Sequence, residues 1–496
     1  MRFSELIHDL PHSLASPDQS DVEVRRVVHS AQQSSPGDVF VAMPGGRHDG
    51  HDFAPEAVRR GAAAIVAERP CADGVPCALV PNARQAFARL CTTLAGHPTR
   101  ELALTAVTGT NGKTTTSYLI EHCLRTAGRR TGLVGTVEIR YPGVSVPSSM
   151  TTPDADVLQA HFRAMVDRGV AECVMEASSH ALAGHRLDAS HLDVAVFTNL
   201  QHDHLDHHGS MESYFAAKHR LFALLDESCK SAKCAVVNRD DAWGERLWST
   251  LSGERLSCSL ERSADVRGSW RPSGRGSLLR VDTPQGSFSV RLPLGGRHNA
   301  SNALLAIAAV LARGLPPAVV AQALADPPPV PGRRQRIEAG GLRHVYVDFA
   351  HNPEGLTAML EDMRWTHPGA RILLVFGAKG RDRDVDKRRR MGAAAARGAD
   401  AVILTSDDPY DEDPSAIAAA ILRGFPPGAP VDVVLDRRLA IRQALRRADP
   451  GDVVVVAGRG PEPDQKGPEG LVPFDDAAVV QEELSLCAAD VGVPVC

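Results

Sequence analysis

No stretch of this chain approaches the ~18 consecutive apolar residues of a membrane-spanning helix, and its opening, MRFSELIHDL, sets charges inside any would-be leader segment. A cytoplasmic protein with no membrane partner is expected. The ten cysteines form no C-x-x-C pair, so neither a zinc knuckle nor a disulfide framework is indicated, and most should be small buried hydrophobes. Basic residues are not in excess: 55 Lys and Arg stand against 60 Asp and Glu, a net charge of -5, which gives no general electrostatic reason to expect nucleic acid. Short-period repeats and low-complexity tracts are absent as well. What remains is 496 residues with an ordinary 43% apolar content, enough for about three domains.

The stretch that organises the rest is LALTAVTGTNGKTTTSYLIEHCLRTA (102–127), an apolar run, a glycine-bearing loop and an amphipathic continuation. It reads as strand, phosphate loop and helix. Gly109 and Gly112 let backbone amides turn inward, and the helix start offers unpaired N–H groups to an anion. With Thr110, Asn111 and Thr115 completing the cradle, Lys113 would reach the terminal phosphates of ATP and Thr114 would put its hydroxyl on Mg2+. The strict G-x-x-x-x-G-K-[ST] pattern fails at its first glycine, where Val107 stands.

Residues 1–100 carry short β-type runs (38–43 and 62–68) around a glycine-rich stretch, PGGRHDGHDF (44–53), and form a small α/β domain. Gly45, Gly46 and Gly50 with Arg47 and His48 suit either a phosphorylated ligand or a plain surface loop. Over 101–330 further β-type runs (171–177, 192–199, 233–238) alternate with helical patterns, which argues for a mostly parallel sheet with ligands at its carboxyl edge. DPPPVPG (326–332) reads as a linker. Beyond it, over 331–496, the alternation restarts (344–350, 371–378, 401–406, 431–436, 452–458) and favours a Rossmann-like domain.

Two more stretches carry chemistry. VMEASSHAL (174–182) ends a buried-looking strand with Glu176, placed to hold Mg2+ beside phosphates, and Ser178 follows at the mouth of the site. TNLQHDHLDHHG (198–209) also follows a strand, and its centre spells H-x-H-x-D-H, the spacing of dizinc hydrolases. A metallo-hydrolase has no use for the upstream phosphate loop; a solvated loop is the blander alternative.

These motifs together resemble the Mur ligases, the ATP-dependent amide-forming enzymes of peptidoglycan precursor synthesis. The resemblance covers the whole chain: TGTNGKTTT (108–116), TTPD (151–154), EASSHAL (176–182), TNL..DHLD..HG (198–209), Y..AK..LF (214–222), GRHN..N (296–302), D.AHNPEGL (348–356) and DDP...EDP (407–414). Order and spacing are nearest to the branch that adds the third residue to UDP-N-acetylmuramoyl-dipeptide. The resemblance implies a three-domain α/β architecture, with a first domain for the acceptor, a central P-loop ATPase-like domain and a Rossmann-like third domain. It implies ATP and Mg2+, small-molecule substrates and a monomer. By position it gives phosphate and metal roles to Lys113, Thr114, Glu176 and His204, and carbamylation to Lys218, a lysine that would otherwise be solvated. His298, Asn299 and Asn302 match the adenine side; Arg333 and Asp348 match nucleotide contacts from the third domain. Thr151, Thr152, Ser178, Arg186 and His351 fall on the substrate side.

Two ends depart from the family pattern. Members that use meso-diaminopimelate carry Asp-Asn-Pro-Arg where this chain has Asp407, Asp408, Pro409 and Tyr410, and Gly-Lys-Gly-His-Glu where it has Gly458, Arg459, Gly460, Pro461 and Glu462. Tyr410 cannot hold a distal carboxylate bidentately as arginine does. The expected amine therefore lacks a distal carboxylate: lysine, another neutral-tailed or cationic amino acid, or a simple amine, with lysine or ornithine ahead because Asp408 and Glu462 would suit a distal ammonium. Of the Asp-Ser-Arg near the UDP moiety only Ser30 remains. A homologue joining another amine to a non-peptidoglycan carboxylate is the alternative, and a folylpolyglutamate-synthetase-like enzyme would lack the first domain.

Overall fold

The computed structural model describes residues 1–15, 21–46, 48–274, 276–339, 344–381 and 385–491. Three large sheets follow one another along the chain, with a separate two-stranded hairpin, Asp464–Gly467 and Gly470–Pro473, near its end. The first has five strands in the order Ser13–Leu14, Cys77–Leu79, Ala64–Ala67, Asp38–Ala42, Arg26–Val28, all parallel except the first. Asp38–Ala42 is buried along its whole length, which is why it reads as an unbroken apolar run.

The central sheet has eleven strands. An inner strand, Ala103–Thr108, lies between Glu172–Glu176 and Val194–Phe197, parallel to both. Antiparallel strands extend both edges: Glu138–Tyr141 and Val144–Pro147 on one side, Gly276–Thr283 and Gly286–Leu292 on the other. The alternation of apolar runs and helices foretold the parallel centre but not these edges. Gly276–Thr283 shows why, since its burial alternates and Arg280 and Asp282 break the run. Helix Arg297–Ala312 packs on the helix that follows the phosphate loop.

The third sheet has the order Gln335–Ile337, His344–Asp348, Val453–Ala457, Ile372–Phe376, Ala401–Leu404, Val431–Val433, parallel except for its first strand. Among the described residues, the buried apolar clusters of the central and third sheets share no member. Each sheet therefore has its own core, and the two meet through polar side chains. No helix among the described residues is long and apolar enough to cross a membrane.

Candidate active site

Strand Ala103–Thr108 ends mid-sheet and passes through the loop 109–112 into helix Lys113–Thr126. Gly109 has φ +147° and Gly112 φ +89°; a Cβ there would fall 1.8 Å from Thr198 Oγ1 and 2.3 Å from Asn302 Oδ1 respectively. Backbone sign and close neighbours both demand glycine. Lys113 folds onto its own loop, Nζ donating to the carbonyls of Gly109 and Thr110, each at 2.9 Å. Desolvation lowers its pKa, with Glu176 opposing. Asn111 N donates to Asn199 Oδ1 at 3.0 Å, and Thr110 Oγ1 meets the Tyr214 hydroxyl at 3.1 Å. Thr115 is buried in the first turn of the helix.

Glu176, 1% exposed at the end of the neighbouring strand, accepts from Thr136 N at 2.7 Å, from Thr136 Oγ1 at 3.0 Å and from Thr114 Oγ1 at 2.9 Å. Thr114 Oγ1 in turn accepts from Arg333 Nη2 of the third domain at 3.1 Å. A carboxylate and a hydroxyl side by side at the helix start are hard oxygen donors, a set that suits Mg2+. Beside them Thr152 Oγ1 donates to the Glu176 carbonyl at 2.8 Å and accepts from Ser178 N at 3.0 Å. The Thr151 hydroxyl lies 3.1 Å from that of Thr136, and Arg186 donates to the Thr152 carbonyl and pairs with Asp154.

Lys218 lies in helix Met211–Glu227 and is 1% exposed, which overturns the reading of it as a solvated lysine. Its Nζ donates to the Gly109 carbonyl at 2.7 Å and stands 4.4 Å from the Tyr214 ring centre. Burial, reinforced by Lys113, pushes its pKa well below the ordinary lysine value. His204, at φ +54°, caps the short helix Leu205–His208, its ring 4.9 Å from His180. Burial, then His207, pushes His180 down to about 4, so it is neutral at neutral pH.

The dizinc reading of this stretch fails on geometry. Among the described residues, the only His, Cys, Asp or Glu group of three or more whose ligand atoms lie within 4.8 Å of one another is Asp407, Asp408 and Glu462. Asp203 instead turns to the third domain. It accepts from Lys387 Nζ at 2.9 Å and Asn352 Nδ2 at 3.1 Å, with His351 Nε2 at 3.6 Å. Asn352 also exchanges hydrogen bonds with Asn111 at 3.2 and 3.3 Å. Asp203 falls in the DHLD motif, but its pairing with Lys387 is not legible in sequence, because the two lie far apart along the chain and only folding joins them.

One cavity of about 1200 Å³ takes in the loop, Glu176, His204, Lys218, Arg333 and Asp348. His298, Asn299 and Asn302 line it at the start of helix Arg297–Ala312, where Asn299 Nδ2 donates to the Gly295 carbonyl at 2.8 Å. Asp348 accepts from the backbone of Arg334 and Ala350, and burial raises its pKa against the pull of Arg333.

The other sequence candidates do not all join this space. Tyr410 lines it, held at φ +54°, but Asp407, Asp408, Gly458 and Glu462 are not among the residues that line it. Asp408 is paired with Arg459, and Lys379 takes Glu462 at 2.5 Å and Asp408 at 3.4 Å. Asp407 Oδ1 lies 3.7 Å from Arg459 Nη1, and Gly458, at φ +111°, leaves no room for a Cβ against Asp407 Oδ2. Two internal cations thus occupy the carboxylates expected to greet a distal ammonium, and the expectation of a lysine-like amine loses its basis. Ser30 sits in the first domain, preceding the short helix Ala31–Gln33, and does not line the cavity. The loop of Gly45, Gly46, His48 and Gly50 does not line it either; Arg47 lies outside the described residues.

Residues 23–88 match the Mur ligase family catalytic domain, 107–310 the Mur ligase middle domain and 332–460 the Mur ligase glutamate ligase domain. The chain is 41% identical over 487 residues to the UDP-N-acetylmuramoyl-L-alanyl-D-glutamate--2,6-diaminopimelate ligase of Streptomyces coelicolor, spanning 95% of this chain and 94% of that protein. It is 41% identical over 495 residues to the ligase of the same name from Geobacillus kaustophilus, spanning 97% and 99%. A solved structure of a ligase of that name has a TM-score of 0.68 and 30% identity over 98% of this chain and 99% of its own. With all three domain types matched in order and this identity sustained along its length, the chain belongs to the Mur ligase family of ATP-dependent acid–amino-acid ligases, on the MurE-like branch.

Proposed function

We propose that the protein joins an amino acid to the free carboxylate of a UDP-N-acetylmuramoyl-dipeptide acceptor, with ATP and Mg2+, through an acyl phosphate. We assign the acceptor's nucleotide end to residues 1–100, ATP to 101–330 and the incoming amino acid to 331–496. The observation that carries the reading is the run Glu176, Thr114, Arg333: one hydroxyl at the phosphate-loop helix bonds both a strand-end carboxylate and a third-domain arginine.

A carboxylate and an ammonium only form a salt at neutral pH, so the carboxylate must first become an electrophile. An acceptor carboxylate oxygen bonds the terminal phosphorus and ADP leaves. Lys113 exchanges its loop carbonyls for the charge of the moving phosphoryl group, and the amides of the loop hold the remaining phosphates. Mg2+ at Thr114, Glu176, His204 and carbamylated Lys218 would neutralise phosphate charge. Arg333 and Asp348 hold the nucleotide from the third domain, and Thr152, Ser178 and Arg186 line the acceptor's approach. The amine then bonds the acyl carbon, inorganic phosphate leaves, and the amine's surplus proton goes to solvent. Closure of the third domain keeps water from the acyl phosphate.

Phosphate release tests this directly, with ATP, the UDP-linked dipeptide and a panel of amino acids including lysine and meso-diaminopimelate. Release should require all three components and disappear in Lys113→Ala with the fold intact. Release that needs no amino acid, or that survives in Lys113→Ala, would reject the reading.

A further inference from the structure

Asp188, 2% exposed, lies in the turn that follows the short helix Ser179–Ala183, between the first and central domains. Its Oδ2 accepts from donors on three different elements: Gln85 Nε2 at 3.0 Å from the first-domain helix Ala83–Leu94, His185 Nδ1 at 3.1 Å from the turn itself, and Arg220 Nη2 from helix Met211–Glu227. Arg220 is the cation that a carboxylate at this depth requires. Because all three bonds end on one oxygen, moving any donor disturbs the other two. His185 gives its Nδ1 proton to the carboxylate, which leaves Nε2 to accept from Asn82 Nδ2 at 3.3 Å, at the N-cap of the same first-domain helix.

The turn held in this way is strained. His185 has φ +60° and Ala189 φ +64°, left-handed values that residues with a Cβ rarely adopt, and such a backbone persists only where its surroundings over-determine it. Between the two stands Arg186, which lines the cavity and whose guanidinium donates to the Thr152 carbonyl at 2.8 Å and pairs with Asp154 at 2.8 Å. Asp154 precedes helix Ala155–Asp167, whose first residue belongs to the apolar core of the first domain. Contacts with the first domain therefore aim Arg186 from two sides, through Asp154 at its guanidinium and through Asp188 at its backbone.

We propose that Asp188 is a positioning residue for the ligation: it holds the strained 185–189 turn against the first domain and so sets Arg186 in place for the peptide end of the acceptor. The inference rests on the reading of residues 1–100 and Arg186 as acceptor-binding groups. Asp188 does not line the cavity and acts only through the geometry of Arg186. Its bond to Gln85 makes that geometry depend on the seating of the first domain. An acceptor whose nucleotide end is held by the first domain then meets an arginine already aligned with its other end.

Steady-state kinetics on the full chain test this, with ATP, the UDP-linked dipeptide and the amino acid of the panel that turns over fastest. Asp188→Asn keeps the shape of the side chain but cannot pair with Arg220. It should raise the acceptor KM about tenfold, while kcat and the KM for ATP stay within about twofold of the parent. Gln85→Met loses only the first-domain hydrogen bond, should fold as the parent does, and should raise the acceptor KM by a smaller factor. In an Arg186→Met background the Asp188→Asn change should add almost nothing, because the group it positions is gone. Equal rises in KM for ATP and acceptor, an unchanged acceptor KM, or the full effect of Asp188→Asn persisting without Arg186 would each overturn the inference. If Asp188→Asn does not fold, Gln85→Met decides alone, an unchanged acceptor KM being the overturning result. A parent with no saturable dependence on the UDP-linked dipeptide would refute the acceptor reading and the inference with it.

Discussion

Lys218 shows how far a single residue can be read from sequence. YFAAKHRLF marks the lysine, but spacing says nothing of its burial, and a helical lysine is ordinarily solvated. Folded, it is 1% exposed, bonded to one carbonyl and set over Tyr214, with no carboxylate in salt-bridge range among the described residues. A buried ammonium with no carboxylate in contact is costly, and burial, then Lys113, lowers the pKa of the amine well below the ordinary lysine value against the pull of Asp203, which favours the nucleophilic free amine. A neutral amine adds to CO2, releases a proton and becomes a carbamate, which carries oxygen donors into the cavity. Lys218→Ala is therefore expected to lose at least about a hundredfold in kcat/KM and to be partly rescued by acetate or formate. Parent protein held free of CO2 should lose activity and regain it with bicarbonate. Labelled bicarbonate should give a carbamate carbon resonance in the parent and none in Lys218→Ala. If that resonance is missing and bicarbonate changes nothing, the lysine works as a bare amine.

At the scale of elements, legibility followed burial. Strands His344–Asp348, Ile372–Phe376 and Val453–Ala457 fall within apolar runs visible in the sequence, because a parallel strand covered on both faces has no polar side to interrupt it. The loops after such strands are a different matter. Asp-Asp-Pro-Tyr and Gly-Arg-Gly-Pro-Glu look like two separate losses from the family pattern, each weakening the site. In the fold the two departures touch: Asp408 pairs with Arg459, both fully buried, and Arg459 also donates to the carbonyls of Asp464 and Phe474. The pair holds together the loops that follow strands Ala401–Leu404 and Val453–Ala457. Removing either member strands a buried charge, although Lys379 beside Asp408 and Asp407 beside Arg459 soften the loss. Asp408→Asn and Arg459→Met should each destabilise the protein, and the double variant should cost less than their sum by ~1–3 kcal/mol. Urea titration of the four proteins measures that coupling. Strict additivity would mean that the two loops are held by something other than this pair.

The central and third domains have separate cores joined by polar contacts, and this sets how they can move against each other. Central and third domains meet at Asp203, which gathers Lys387, Asn352 and His351, and at the contact of Arg333 with Thr114. Polar contacts can be exchanged for water, so separation exposes little apolar surface and leaves each core intact. The contacts arise from residues hundreds of positions apart, so no local pattern announces them, whereas the phosphate loop is local and was plain. Asp203 is the centre of the arrangement. Burial would raise its pKa, but the hydrogen bond from His351 and the charges of Lys387 and His204 hold it well below the usual carboxylate range. An ionised carboxylate at this depth needs its cation. Lys387→Met should therefore weaken closure without disturbing any core. Small-angle scattering should give a larger radius of gyration than the parent, and melting of the separate domains should stay where it was. Turnover should fall by roughly tenfold, the size expected when an interdomain charge contact worth ~1.4 kcal/mol is lost. ATP with acceptor should draw the variant back towards the parent's dimensions, because ligands bridging both domains replace part of the missing contact. If the variant is as compact as the parent and turns over as fast, Asp203 is satisfied without Lys387 and closure depends on the Arg333 contact and the nucleotide instead.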